Sequence, residues 1–249
     1  MTATIPRHAM VLTAGLGRRL RPLTDRLPKP LVNVGGQTLL DRILERLVEV
    51  GVEEVALNLH HLGARIEEHL QGRARPRLQY SREAELLETG GGVRQALPLL
   101  GPEPFFVVNG DILWLDGHTP ALMRLAQLWD PARMDALLLV HSAAQARGIE
   151  GFGDFFLDPE GLVRRRRERE VAPFIFAGVQ ILKPGLFEEA PDGPFSLNLL
   201  YDRALEAGRL FGLRHDGLWF HVGSLDGLAE AETELGGEQP LWMRTHLDR

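Results

Sequence analysis

The stretch HAMVLTAGLGRRLRPLTDRLPKPLV, residues 8–32, joins a short apolar run to a loop rich in glycine, arginine and proline. Its first six residues are typical of a buried parallel strand. The loop that follows carries four arginines and one of only two lysines in the chain. Because glycine lets backbone N–H groups approach an anion closely, Gly15 and Gly17 predict a local site for phosphate oxygens.

Lys29 stands between two prolines in this loop. An arginine fork binds phosphates with a fixed geometry, whereas the lysine ammonium is a compact and mobile point charge. Arg18, Arg19 and Arg21 therefore offer forks for a polyphosphate, and Lys29 suits a phosphate whose position changes during a reaction. The alternative interpretation is a solvated basic loop.

The composition of the 249-residue chain excludes several classes of protein. It holds no cysteine, which excludes a disulfide scaffold and a zinc site with cysteine ligands. Its net charge of −6 argues against a broad nucleic-acid surface. No apolar run approaches the length of a membrane span, and the N-terminus lacks the pattern of a signal peptide. We therefore expect a cytoplasmic protein without nucleic-acid or membrane partners.

Strand and helix patterns alternate along the first 150 residues. In residues 38–50, apolar side chains recur with the helical period, and Gly51 ends the pattern. This alternation predicts an α/β fold, a Rossmann-like, doubly wound and mostly parallel mixed sheet with helices on both faces. The predicted strands are 8–13, 54–59, 78–81, 104–109 and 136–140, and the predicted helices are 38–50, 62–70 and 120–128.

The pattern changes beyond residue 150, where a turn at residues 158–161 predicts a hairpin. We expect one domain over residues 1–249, with a nucleotide-type half at about 8–115 and a substrate half at about 116–235. Ligands are expected at the carboxyl ends of the strands. The later predicted elements are hairpin strands 152–157 and 162–166, strands 174–182 and 218–222, and helices at 196–207 and from 225.

Two further stretches could carry chemistry. VVNGD, residues 107–111, is an apolar strand that ends in a carboxylate, which is well placed to hold Mg²⁺ beside phosphates. Its alternative is an ordinary Asn-Gly-Asp turn. ETGGG, residues 88–92, places three glycines in a row. Close approach of a flat ligand would explain them, and so would a flexible loop.

Taken in order, the loop at 12–32, ETGGG and VVNGD resemble the sugar-1-phosphate nucleotidyltransferases. The resemblance is strong over residues 8–115 and looser to about residue 235. Within that family, LPLLG at 97–101, GFGDF at 151–155, FAG at 176–178 and WFHVGS at 219–224 are most similar to the N-acetylmuramate-1-phosphate uridylyltransferases.

The resemblance implies that a sugar 1-phosphate attacks the α-phosphorus of an NTP in line and expels pyrophosphate. The protein would contribute positioning and charge stabilisation. Carried over by position, the catalytic residues are Arg19, Lys29 and Asp111, with Asp111 on the metal. The implied nucleotide contacts are Ala14, Gly15, Gly17, Arg18, Arg19, Lys29, Gly90 and Asn109, and the implied sugar contacts are Asn109, Asp154 and Gly178.

The chain departs from the family pattern at His221, where the family usually has a second metal-binding aspartate. Mg²⁺ prefers oxygen ligands, whereas imidazole suits Mn²⁺ or Zn²⁺ better. His221 could still hold the metal, with Mn²⁺ as a possible ion, or it could bind a phosphate while Asp111 holds the ion. In the third interpretation the site is inactive. Asp216 and Asp226 are candidates for a displaced carboxylate.

Other functions stay open at this point. The nearest alternative is a thymidylyl- or guanylyltransferase that acts on glucose or mannose 1-phosphate, because a few hydrogen bonds decide the base. A non-catalytic protein that binds a nucleotide sugar is the alternative that His221 motivates. A dinucleotide oxidoreductase is disfavoured, since the loop lacks the third glycine of GxGxxG. Both a monomer and a homodimer are compatible with the sequence.

Overall fold

The structure, a computed structural model, describes residues 5–149 and 151–235. Its main feature is a nine-stranded sheet that contains strands from both halves of the sequence. The strands of this sheet are β1 (His8–Leu12), β4 (Glu54–Leu59), β5 (Arg77–Arg82), β6 (Phe105–Asn109), β8 (Ala136–Ser142), β9 (Phe155–Leu157), β10 (Val163–Arg165), β11 (Phe174–Leu182) and β12 (Leu210–Arg214).

The sheet is mixed but mostly parallel. Strand β1 lies between β4 and β6 and pairs with both in parallel, and β4 pairs with β5 in parallel. Strand β11 runs antiparallel to β6 and β8, while β12 is parallel to β8. Strands β9 and β10 form the hairpin, attached to β11 at Phe174. Because β1, β4 and β6 are parallel neighbours, their carboxyl ends meet at one edge.

Helices cover both faces of the sheet. The helices α1 (Leu39–Glu49), α2 (Gly63–Leu70) and α4 (Ala121–Leu128) pack into one apolar core. The helices α3 (Glu88–Leu100) and α5 (Asn198–Glu206) pack into a second core on the opposite face. Strand residues alternate between the two cores, as in Phe106 and Val107, because successive side chains of a strand point to opposite faces.

Local chemistry explains where α1 begins and ends. The hydroxyl of Thr38 accepts a hydrogen bond from the N–H of Asp41 at 3.0 Å, which is a typical N-cap. The chain leaves the helix through Gly51, whose φ of +98° suits glycine. Five of the six apolar positions that the sequence predicts as one stripe of α1 are buried, and the sixth, Val48, is half-buried.

Two small antiparallel pairs lie outside the main sheet. One joins β2 (Asn33–Val34) and β3 (Gln37–Thr38), and the other joins β7 (Ile112–Leu115) and β13 (Leu218–His221). The indole of Trp219 donates to the carbonyl of Ala177 at 2.8 Å, which ties the second pair to β11. A last helix, α6 (Leu225–Glu234), packs against this pair in a third apolar cluster.

The predicted α/β class and the mostly parallel mixed sheet are confirmed, as is the hairpin. The sequence analysis missed β2, β3, β7 and β12 because each is short or lies close to turn residues. Of the two interpretations left open for ETGGG, the flexible loop is excluded, since residues 88–92 form the first turns of α3. Within the described residues, no helix is long and apolar enough to cross a membrane.

Candidate active site

A cavity of about 420 Å³ opens at the carboxyl ends of β1, β4 and β6. Six of the residues that the sequence analysis selected line it, so the structure brings these sequence-distant groups together. They are Ala14, Gly15, Gly17, Lys29, Asn109 and Asp111. We call this the smaller cavity.

The loop after β1 presents free backbone donors to the smaller cavity. Within the described residues, none of the N–H groups of residues 14–17 donates a hydrogen bond. A Cβ atom added at Gly15 would have no heavy atom within 4 Å, so open space lies beside that backbone. Unpaired N–H groups along a turn form a concave site for anions. The loop therefore offers unpaired backbone donors to an anion.

Gly17 has a different reason to be glycine. Its φ is +61°, and an added Cβ would lie 2.8 Å from the Cγ2 atom of Thr24. The hydroxyl of Thr24 donates to the carbonyl of Gly17 at 2.8 Å. Gly17 therefore folds the loop back on itself toward Thr24.

Lys29, Asp111 and His221 meet at the edge of the smaller cavity. The ammonium of Lys29 donates to Oδ2 of Asp111 at 2.5 Å, and Nε2 of His221 lies 3.3 Å from the same oxygen. Burial raises the pKa of the Asp111 carboxyl, but the hydrogen bond with His221 and the charge of Lys29 outweigh it. The net result is a pKa well below the usual range. Asp111 is therefore a carboxylate at any ordinary pH.

The backbone around Gly110 places Asp111 beside Lys29. The N–H of Gly110 donates to the carbonyl of Leu12 at 3.0 Å, which ties the end of β6 to the end of β1. A Cβ at Gly110 would lie 2.6 Å from that carbonyl oxygen and 3.1 Å from Pro30. Only glycine allows this approach, so the Asn-Gly-Asp turn and the Pro-Lys-Pro segment depend on each other.

The ring of His221 is held from two sides. It stacks on the indole of Trp219, with the ring centres 6.3 Å apart and the planes at 7°. A Cβ at Gly223 would lie 2.1 Å from the His221 ring, so the close contact requires glycine. Pairing of His221 with Ile112 across β13 and β7 places the ring next to Asp111. The sequence analysis did not select Gly223 as a residue that positions His221. The one sign of this role in the sequence is that Gly223 lies two residues after His221.

The donor atoms of this pair fit a divalent cation. Two ligands bound to one ion at about 2.1 Å lie about 3 Å apart, close to the 3.3 Å between Asp111 and His221. A carboxylate oxygen with an imidazole nitrogen suits Mn²⁺ at least as well as Mg²⁺. Within the described residues, no group of three or more such side chains could hold an ion. Further ligands would therefore come from phosphate oxygens and water.

A buried polar network behind the cavity was missed by the sequence analysis. Asn58 accepts from the N–H of Thr13 at 2.7 Å and donates to Glu83 at 2.7 Å. The other oxygen of Glu83 accepts from the N–H of Leu87 at 3.0 Å, just before α3. The network therefore fixes the ends of β1, β4 and β5 relative to α3. A polar residue at the end of a buried strand, the signal that selected Asp111, also marks Asn58.

The three glycines of ETGGG allow helix α3 to pack closely against its neighbours. An added Cβ at Gly90 would lie 2.3 Å from the ring of Phe195, and one at Gly91 would lie 2.4 Å from the carbonyl oxygen of Gly193. The N–H groups of Gly90 and Gly91 donate to the carbonyl of Phe195 at 2.8 and 3.2 Å. The structure therefore explains Gly90 by packing, and its contact with a nucleotide base stays a prediction.

Arg19 lies on a different, larger cavity of about 1240 Å³. Its walls include the acidic side chains of Asp116, Asp216, Asp226 and Glu230. We call this the larger cavity. Arg18 and Arg19 are both exposed, and Gly17, two residues before Arg19, belongs to the smaller cavity. Lys29 and Asp111 are in contact and line the smaller cavity, whereas Arg19 lines the larger one.

The two remaining predicted sugar contacts lie near β11. Gly178 has a φ of +77°, and its added Cβ would lie 3.1 Å from Asn109. The exposed carboxylate of Asp154 accepts from the N–H of Phe176 at 2.9 Å, beside an irregularity in β11. Asp154 lines neither cavity. Its contact with a sugar stays a prediction.

Comparison with known proteins identifies the family. Residues 8–237 match the family described as nucleotidyl transferase. The chain belongs to this family. It is 44% identical over 235 residues to the N-acetylmuramate alpha-1-phosphate uridylyltransferase of Caulobacter vibrioides, covering 92% of this chain and 97% of that one. It is 39% identical to the protein of the same name from Neisseria meningitidis, covering 92% and 98%.

Solved structures give the same fold. The crystal structure of a UDP-glucose pyrophosphorylase complexed with UDP-glucose matches with a TM-score of 0.76 at 18% identity. The match covers 93% of this chain and 98% of that chain. At this identity the likeness concerns the fold alone.

Proposed function

We propose that this nucleotidyltransferase joins UTP and N-acetylmuramate alpha-1-phosphate to give UDP-N-acetylmuramate and pyrophosphate. The observation that carries the proposal is the smaller cavity, where free backbone donors, a lysine and a carboxylate converge at the ends of three strands. The choice of base and sugar rests on the two relatives, which are 44% and 39% identical and carry this activity in their names.

In this reaction an oxygen of the sugar phosphate attacks the α-phosphorus of UTP in line, and the bond to the bridging oxygen of pyrophosphate breaks. The N–H groups of residues 14–17 hold the phosphates, and Lys29 balances charge on them. Asp111 and His221 would hold a divalent cation, Mg²⁺ or Mn²⁺. When bound, such an ion neutralises phosphate charge. The protein contributes mainly position and electrostatics.

We assign the two halves of the sheet to the two substrates. Residues 8–115 would hold the nucleotide, and residues 116–235 the sugar phosphate, within one domain over 1–249. Asn109 lies on the smaller cavity and beside Gly178, which supports a position for it between nucleotide and sugar. Arg19 is proposed to face the departing pyrophosphate from the larger cavity. We expect a cytoplasmic monomer or homodimer that needs no nucleic-acid or membrane partner.

A substrate panel tests the proposal. Purified full-length protein is incubated with Mg²⁺ or Mn²⁺ and with UTP, GTP or dTTP. Each nucleotide is paired with the 1-phosphates of N-acetylmuramate, N-acetylglucosamine, glucose and mannose, and pyrophosphate release is followed. We expect kcat/KM for UTP with N-acetylmuramate 1-phosphate to exceed that of every other pair by about 100-fold.

Two results would overturn the assignment. Faster pyrophosphate release from GTP and mannose 1-phosphate, or from dTTP and glucose 1-phosphate, would show that the substrates are different. The protein would still be a sugar-1-phosphate nucleotidyltransferase. No release from any pair, with UTP binding intact by calorimetry, would favour the non-catalytic protein that His221 motivates.

A further inference from the structure

Lys29 is held firmly at its backbone and paired at its tip. It begins a short 3-10 turn, Lys29–Leu31, in which the N–H of Val32 donates to the carbonyl of Lys29 at 3.0 Å. The side chain is 12% exposed, and Asp111 is 26% exposed. The ion pair therefore occupies a partly buried position, where it is screened less than a surface pair.

Lys29 and His221 both face the same carboxylate oxygen of Asp111. Oδ2 of Asp111 accepts from Lys29 at 2.5 Å and is the atom that Nε2 of His221 faces at 3.3 Å. A divalent cation held between this oxygen and Nε2 of His221 would share the oxygen with Lys29. It would then lie close to a lysine ammonium in a site that is partly shielded from water. Like charges at that separation repel strongly, so one carboxylate oxygen cannot serve both partners well.

We infer that Lys29 and the divalent cation are alternative partners of Asp111, and that the nucleotide decides between them. In the nucleotide-free protein Lys29 occupies Asp111 and keeps the cation out. When the triphosphate binds, its oxygens take over the ammonium, and the carboxylate becomes available to the cation. The inference rests on the proposed function, because it names the nucleotide as the group that moves Lys29.

The lining of the smaller cavity supports this exchange. Lys29 is the one basic residue among its described lining residues, so a triphosphate held by the N–H groups of residues 14–17 has a single side-chain cation within the cavity. The lysine tip can swing on its four-carbon stem while the flanking prolines keep its Cα in place. A lysine can therefore pair first with Asp111 and then with the triphosphate. The planar, rigid guanidinium group of an arginine changes partners less easily.

The test measures binding of Mn²⁺ alone to the full-length protein without nucleotide, from the electron paramagnetic resonance signal of free Mn²⁺. We expect Lys29→Met to bind Mn²⁺ about 10-fold more tightly than the wild type, a typical coupling between competing ligands. Lys29→Arg, which keeps the charge, is the matched control and should bind as weakly as the wild type. In the double variant Lys29→Met/Asp111→Asn the gain should vanish.

Unchanged or weaker Mn²⁺ binding by Lys29→Met would overturn the inference, and so would a gain that persists in the double variant. If Lys29→Met does not fold by circular dichroism, Lys29→Gln replaces it. This variant removes the charge but keeps a donor toward Asp111, and the same gain is expected. Uridylyl transfer by the wild type is measured separately. If the wild type transfers uridylyl groups but Lys29→Met does not bind Mn²⁺ more tightly, only the exchange of partners at Asp111 is refuted. If Lys29→Met binds Mn²⁺ more tightly but the wild type transfers nothing, only the proposed function is refuted.

Discussion

The smaller and larger cavities differ in size and, more usefully, in the polar groups that line them. The larger cavity measures about 1240 Å³ and the smaller about 420 Å³. In the larger one, Asp116 is paired with Arg46, and Asp216 with Arg124 at 2.7 Å. In the smaller one, the N–H groups of residues 14–17 are unpaired within the described residues. We therefore base the proposed site on the free donors and the carboxylate at the strand ends and not on cavity volume.

Asp111→Asn tests this comparison with the largest expected effect. The change removes the carboxylate that faces both Lys29 and His221, so we expect kcat/KM to fall about 1000-fold, the upper range for one electrostatic group. Asp226→Asn is the matched control on the larger cavity, where the side chain is exposed. It should keep activity within about 3-fold, and a loss equal to that of Asp111→Asn would refute the distinction between the cavities.

Gly15→Ala and Gly90→Ala separate binding from packing. At Gly15 an added methyl meets open space, so the free energy of unfolding should stay within about 0.5 kcal/mol while kcat/KM falls, since the methyl obstructs phosphate. At Gly90 the methyl would meet Phe195, and we expect a loss of about 1–3 kcal/mol in denaturant unfolding. If Gly90→Ala were fully stable and bound UTP weakly, base contact rather than packing would explain Gly90.

His221→Asp tests whether His221 is a metal ligand at the smaller cavity. Replacing the imidazole with a carboxylate gives Mg²⁺ the oxygen ligand it prefers. We expect the ratio of Mg²⁺-supported to Mn²⁺-supported kcat/KM to rise about 10-fold, within the range of ligand-sphere changes. His221→Asn, which supplies a neutral oxygen without the charge, should raise the ratio less than His221→Asp does. An unchanged ratio in His221→Asp would place His221 on phosphate instead of metal.

The smallest effect concerns two buried histidines beside the larger cavity. Burial lowers the pKa of both His141 and His215, and for His141 the nearby charge of His215 adds to it. As the pH falls, these histidines are protonated at a higher pH in the unfolded chain than in the folded protein. Their contribution to the free energy of unfolding is therefore present above about pH 6.5 and is lost as the pH falls below it. Denaturant unfolding between pH 7.5 and 5 should show this decline, and His141→Leu should flatten it. An equally steep decline in His141→Leu would exclude His141 as a source.

The fold was largely predictable because its signals are local. The periodic helix α1 and the apolar runs of β1, β4 and β6 follow the predicted ranges within a few residues. Strand β7 escaped prediction because it begins directly after the turn that ends at Asp111, and β12 because Gly212 interrupts its short apolar run. Such short strands are stabilised by their partners across the sheet and not by their own propensity.

The site was predictable in its residue types and less so in its grouping. The glycine loop, Lys29 and the carboxylate of Asp111 were visible from residue type and position at strand ends. In the sequence Arg19 belongs to the same loop as Gly17 and Lys29, but in the structure it lines the larger cavity. The carboxylate of Asp154 caps the backbone of Phe176, a partner that no sequence spacing indicates.

The sequence by itself determined the alternation of strands and helices, the polar groups at the strand ends and the family. Periodicity, glycine and charge act over a few residues and can be identified without coordinates. Tertiary structure alone decided that one oxygen of Asp111 faces both Lys29 and His221, which are 82 and 110 residues away along the chain. The reason is that strand pairing and close backbone packing set these distances, and both depend on parts of the chain that are far apart in sequence.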